Sequence, residues 1–123
     1  MILKNNLFSI KEKQIVDNVY TYIIHLIPDC FIYKAHFPEI PITPGVCIIQ
    51  MVKELLEDVV EKKLSISCIS NAKFLSVMQP EGQTIKVILS KIKENEGVFA
   101  VQSLVSEENG VNYAKISIQA VVA

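Results

Sequence analysis

The chain has 123 residues, half of them apolar and a fifth charged, with a formal net charge of -1; that suits one ordinary folded domain and argues against disorder. Its 12 basic residues are all lysine, and without arginine there is no planar fork for phosphate or guanine, so nucleic-acid recognition is not expected. No run of about twenty apolar residues exists to span a bilayer, and residues 1–10 are too polar for a secretory leader, which makes a cytoplasmic location without membrane association the expectation.

In chain order, Leu7 to Lys13 reads as a first strand closed by the turn pair Asp17-Asn18. Val19 to Ile27 alternates Tyr20, Tyr22, Ile24 and Leu26 against Val19, Thr21, Ile23 and His25, the period of a half-buried strand. His25 is read there as a partly buried strand histidine with a local hydrogen bond rather than a catalytic one. Pro28-Asp29 breaks the strand, and Cys30 to Lys34 leads into a loop.

That loop, from His36 to Gln50, carries Pro38, Pro41 and Pro44 before Gly45 and an apolar run, so it is stiff and feeds directly into a helix. Thr43 is placed as an N-cap and Pro44 at the first helical position. Ile48, Val52, Leu55 and Val59 form an apolar stripe at helical spacing, and Gln50, Glu54, Glu57 and Glu61 line the opposite, polar face. A helix over 44–61 follows, with Lys62-Lys63 complementing its C-terminal dipole.

The rest reads as antiparallel sheet. Leu64 to Met78 is strand-like, Pro80-Glu81-Gly82 turns, Gln83 to Lys93 alternates, Asn95-Glu96-Gly97 turns again, and Val98 to Ser106 runs back. Asn109-Gly110 is a hairpin signal before a last strand from Val111 to Val122. The order predicts an α+β layout with a sheet curled around one amphipathic helix. Cys30, Cys47 and Cys68 are odd in number and lack paired spacing, so buried reduced thiols are expected rather than a metal site or disulfides. The mean hydropathy of +0.36 is high for a small domain, which points to an oligomer.

The stretch from His36 to Val46 resembles the HFPGxPxxPGV signature of the hot-dog-fold 3-hydroxyacyl-acyl-carrier-protein dehydratases that act on hydroxymyristoyl and related chains. His36, Phe37, Pro38, Pro41, Pro44, Gly45 and Val46 stand where that pattern asks. Asn71-Ala72-Lys73-Phe74 and Pro80-Glu81-Gly82-Gln83 resemble the same family's ArF and PGDQ segments. The resemblance implies a hot-dog fold over 1–123, an antiparallel sheet wrapped around one long central helix, assembled as a homodimer or a higher even-numbered homo-oligomer. It implies elimination of water from a 3-hydroxyacyl thioester to a trans-2-enoyl product in fatty-acid or related lipid biosynthesis. No metal and no cofactor are implied, because the substrate arrives on the phosphopantetheine of acyl carrier protein or on CoA.

By position, His36 would be the base and the Gly45 N–H the donor to the thioester oxygen, with Phe37, Pro44 and Val46 against the substrate. The family's carboxylate fourteen residues after the histidine is replaced by Gln50, which donates hydrogen bonds but cannot release a proton as an acid. Glu54, one turn further on, and Glu39, which replaces a usual glycine, are the candidate substitutes. The missing acid keeps two alternatives open: an acyl-binding or partner subunit of an active dehydratase, and a hot-dog acyl thioesterase. Lys73 keeps one basic position for the carrier protein, but Leu75 and Ser76 fall where relatives carry further positive charge, so weak steering is expected.

Overall fold

The computed structural model describes residues 2–36, 41–80, 84–108 and 110–123, without the His36 side chain. Among them the elements run β1 (Phe8–Val16), β2 (Val19–Leu26), α1 (Phe31–His36), α2 (Gly45–Val60), β3 (Leu64–Phe74), β4 (Thr84–Asn95), β5 (Val98–Glu107) and β6 (Asn112–Val122). The six strands form one sheet in the order β1-β2-β4-β5-β6-β3, antiparallel at every pairing. This is the hot-dog arrangement.

Local chemistry sets the short connections. Asp17 and Asn18 take φ of 50° and 63°, and Glu96 and Gly97 take 51° and 81°, the left-handed pairs that let a two-residue turn follow the strand twist. Alternation then sends Tyr22, Ile24, Ile85, Val87, Leu89, Val101, Ile116 and Ile118 to one face, where each is at most 2% exposed. Ile48, Met51, Val52, Leu55 and Leu56 of α2 meet the same core, each at most 3% exposed. Burying side chains of this size contributes about 1.5–3 kcal/mol each, which makes the helix the filling of the sheet's curve.

Several expectations are corrected. β1 continues to Val16, and β3 ends at Phe74 instead of Met78. Residues 31–36 form a six-residue helix where a plain lead-in was expected. Pro44, not Thr43, is the N-cap of α2; its ring offers no oxygen for a side-chain cap bond, and the Thr43 hydroxyl is instead engaged with Tyr33. Cys30 and Cys47 are buried, but Cys68 is exposed on β3. The turn residues Glu81, Gly82, Gln83 and Asn109 lie outside the described residues. His25 is partly buried with its ring 3.3 Å from the Thr84 hydroxyl, as expected of a structural strand histidine.

The face of α2 expected to be solvated is instead a row of anchors. Asp58 Oδ2 accepts from the Tyr22 hydroxyl at 2.6 Å and from Lys13 Nζ at 3.2 Å, tying the helix to β2 and β1. Glu57 Oε2 accepts the Leu64 N–H at 2.8 Å, fixing the start of β3. Burial pushes the Asp58 carboxyl up, but the bonds from Tyr22 and Lys13 outweigh it and hold the group below its ordinary value. A depressed carboxyl contributes stability that is present above its unfolded pKa and lost as pH falls through the folded one. Tyr22→Phe should therefore cost about 1–2 kcal/mol near neutrality and lose part of that difference below the ordinary carboxyl value of 3.8, as read by denaturant unfolding across the acid range.

Candidate functional site

The histidine loop joins α1 to α2, and its two ends are pinned. Tyr33 in α1 and Thr43 just before α2 share a buried hydroxyl–hydroxyl bond of 2.9 Å. The Thr43 N–H donates to the Met78 carbonyl at 2.8 Å, so the chain after β3 closes against the loop. Burial pushes the Tyr33 hydroxyl up to about 12, against the lowering effect of Thr43, so it remains a neutral hydrogen-bonding group. His36 is the last residue of α1; its side chain, and Phe37 and Glu39 entirely, lie outside the described residues.

The loop delivers the chain into the first turn of α2. The N–H groups of Cys47 and Ile48 already donate to the Pro44 carbonyl at 3.0 and 3.2 Å. Those of Gly45 and Val46 come before the first intrahelical bond, at the positive end of the helix dipole. A carbonyl oxygen gaining negative charge is well matched to that end. Val46 is 69% exposed there, and Phe74 from the end of β3 lays its ring across Gly45. A Cβ at position 45 would lie 2.8 Å from Phe74 Cζ, so this glycine answers a close approach rather than an unusual φ.

Gln50 stands on α2 with its Nε2 donating to Glu54 Oε2 at 2.9 Å. Glu54 is 8% exposed, although it was expected on the solvated face. Its Oε2 also accepts the Leu3 N–H at 2.8 Å and its Oε1 the Lys4 N–H at 2.7 Å. The N-terminal segment is therefore strapped to the helix one turn beyond Gln50. An acceptor-only carboxylate dictates that the Gln50 amide turns its nitrogen toward Glu54.

Phe74 over Gly45, the Tyr33–Thr43 bond and the strap at Glu54 were not identified from sequence. In the sequence Phe74 stands out only as part of a motif match, and the other two contacts join residues whose side chains carry no distinctive spacing. Burial pushes the Cys47 thiol up, with Cys30 adding to the effect, which disfavours a thiolate nucleophile. Among the described residues no group of His, Cys, Asp and Glu is arranged to hold a metal ion, and no helix is long and apolar enough to cross a membrane.

A family model described as ApeI dehydratase matches residues 11–114. No curated protein matches. A chain of the dehydratase heterocomplex ApeI:P from Xenorhabdus doucetiae superposes with a TM-score of 0.73 at 20% identity, covering 92% of this chain and 96% of that one. A putative thioesterase, yhdA, from Lactococcus lactis gives 0.69 at 14% identity, covering 100% and 98%. The (R)-hydratase from A. caviae involved in PHA biosynthesis gives 0.53 at 14% identity, covering 80% and 74%. At these identities the solved structures establish the fold.

Replacing Gln50 by glutamate would set two carboxylates at the 2.9 Å contact now made by an amide. Like charges that close raise the apparent pKa of the pair. Raised carboxyls lend stability that is present at low pH and lost as pH rises through the folded value. The melting temperature of Gln50→Glu should consequently fall further below wild type at pH 8 than at pH 5, and an equal deficit at both would contradict the pairing.

Proposed function

The chain belongs to the ApeI-like dehydratase family, and from that premise we propose that it eliminates water from 3-hydroxyacyl thioesters delivered by an acyl carrier protein. The observation that carries the reading is the family match over residues 11–114, which contains the entire histidine loop and the helix it enters. In this reading His36 removes the proton next to the thioester carbonyl. The Gly45 N–H, at the start of α2, supports the charge that develops on the carbonyl oxygen. The Tyr33–Thr43 bond pins the described ends of the loop that carries His36 to Gly45, and in this reading orientation supplies much of the rate.

The leaving hydroxide still needs a proton. Gln50 has none to give, and both Glu54 oxygens accept from N–H groups. The proton taken by His36 is then the one that returns: a C–H and a C–O bond break, a carbon–carbon double bond forms, and water leaves with the same proton. No cofactor enters this reaction. The amide of Gln50 orients the hydroxyl.

Two copies are proposed to assemble through β3. That edge strand carries Lys73 as its single charge and leaves Ile69 and Phe74 each 50% exposed. The opposite edge, β1, bears Lys11, Glu12 and Lys13 and a register shift between Ile10 and Glu12, features that discourage edge pairing.

A second reading is favoured by one observation, the amide at position 50 already committed to Glu54. Here the chain is the partner subunit of an active dehydratase, as befits a relative found in a dehydratase heterocomplex. Purified protein should convert a 3-hydroxyacyl thioester to the enoyl product, and His36→Ala should lower kcat/KM by about 10²-fold or more. Turnover indifferent to that substitution would overturn the mechanism. An inert wild type that gains activity only with a second subunit would instead establish the partner role.

A further inference from the structure

The N-terminal segment folds against the flank of α2. Leu3 is 1% exposed, and its carbonyl accepts the N–H groups of Asn6 and Leu7 at 2.9 and 2.7 Å, so the chain there closes into a tight turn. That turn presents two consecutive amides, those of Leu3 and Lys4, to the two oxygens of Glu54. Gln50 supplies a third donor, to the oxygen that also takes Leu3. A hollow of about 590 Å³ opens beside them, and Ile2, Lys4, Gln50, Lys53 and Glu54 share its wall.

Glu54 is a costly residue for a purely structural tie. It is 8% exposed and forms no ion pair among the described residues, and a buried carboxylate without a counter-ion loses hydration that its hydrogen bonds must offset. The two amides of the N-terminal turn need only two acceptor directions, which the single oxygen of a glutamine would supply. What a carboxylate adds is a further acceptor, and Gln50 Nε2 occupies it. A glutamine side chain with no such tie samples several rotamers, and freezing them in a transition state costs entropy. Held beforehand, the amide is already oriented when substrate arrives.

We propose that Glu54 is a positioning residue: anchored by the backbone of Leu3 and Lys4, it holds the Gln50 amide at the hollow for the 3-hydroxyl of the thioester. The inference rests on the dehydratase reading for the identity of that hydroxyl. Glu54 itself neither gives nor takes a proton in this arrangement; the hydrogen bonds it accepts make it a fixed point from which the amide is aimed. The N-terminal segment thereby belongs to the working site, although Lys4 is 50 positions from Glu54.

The experiment is a double-mutant cycle on turnover of a 3-hydroxyacyl pantetheine thioester by the full chain, with Glu54→Leu and Glu54→Gln made in the wild type and in Gln50→Ala. Glu54→Leu should lower kcat about tenfold with a smaller change in KM. Glu54→Gln, whose oxygen still accepts from Gln50, should keep kcat within about threefold of wild type. In the Gln50→Ala background Glu54→Leu should cause no further loss, because no amide is left to aim. An equal loss in both backgrounds, or an unchanged kcat in Glu54→Leu, would overturn the proposal, since a structural tie acts whatever stands at position 50. The side-chain amide resonances of Gln50, identified by their loss in Gln50→Ala, give a readout that needs no turnover. They should shift when a 3-hydroxyacyl pantetheine amide, with nitrogen in place of the thioester sulfur, is added to the wild type, and the response should vanish in Glu54→Leu. A response absent from the wild type, or persisting unchanged in Glu54→Leu, overturns the positioning role. Absent turnover with the resonance response intact removes the dehydratase reading alone.

Discussion

Helix α2 is the constraint on which the remainder of the molecule depends, because it makes two kinds of contact from one short segment. Its apolar stripe, from Ile48 to Leu56, completes the core that the curled sheet leaves open. Its flank then reaches out with carboxylates. Glu54 holds the backbone of Leu3 and Lys4, Glu57 holds the first amide of β3, and Asp58 holds Tyr22 and Lys13. The N-terminal segment and strands β1, β2 and β3 are thereby fixed relative to the helix axis. The first turn of the helix, where a reacting carbonyl would sit, inherits that rigidity.

The strap and the missing acid have one physical cause in common. Positions 50 and 54 are one turn apart on the same side of the helix, and their side chains touch at 2.9 Å. Two ionised carboxylates there would repel each other, and the three N–H groups that now converge on Glu54 require an acceptor. A chain that uses Glu54 to anchor its N-terminal segment is better served by an amide at 50. The departure from the dehydratase pattern is thus coupled to a structural tie that most of that pattern does not describe.

Patterns with a short period were legible in the sequence, and contacts between distant positions were not. The alternation in Val19 to Leu26 and Thr84 to Ser90 and the stripe of α2 are local consequences of side-chain direction, so strands and helix emerged with nearly correct bounds. Phe31-Ile32-Tyr33 gave no helical signal, since β-branched and aromatic residues favour strands and six residues are too few for a period. Glu54 looked solvated because a helical wheel shows only the face and not what folds over it, and its partners Leu3 and Lys4 are 51 and 50 positions away. Of the site, the histidine loop was recognisable as a motif. The placement of Phe74 over Gly45 depended on where β3 ends.

The same limitation concealed the distribution of charge. A formal net charge of -1 looks featureless when it is counted along the chain. In the fold, Glu54, Glu57 and Asp58 are consumed as hydrogen-bond acceptors beside α2, and the acidic residues of β4 and β5 turn to the helix side. Among the described residues the lysines of the sheet's outward rows form no ion pair, and the acidic residue that shares their face is Glu12 on β1, through the pairs Glu12↔Ile23 and Ile23↔Lys86. Carboxylates used as structural ties beside α2 are not available to the sheet's outward face, and the Lys73–Lys115 pair that remains there is a like-charge contact weakened by the exposure of both side chains to solvent.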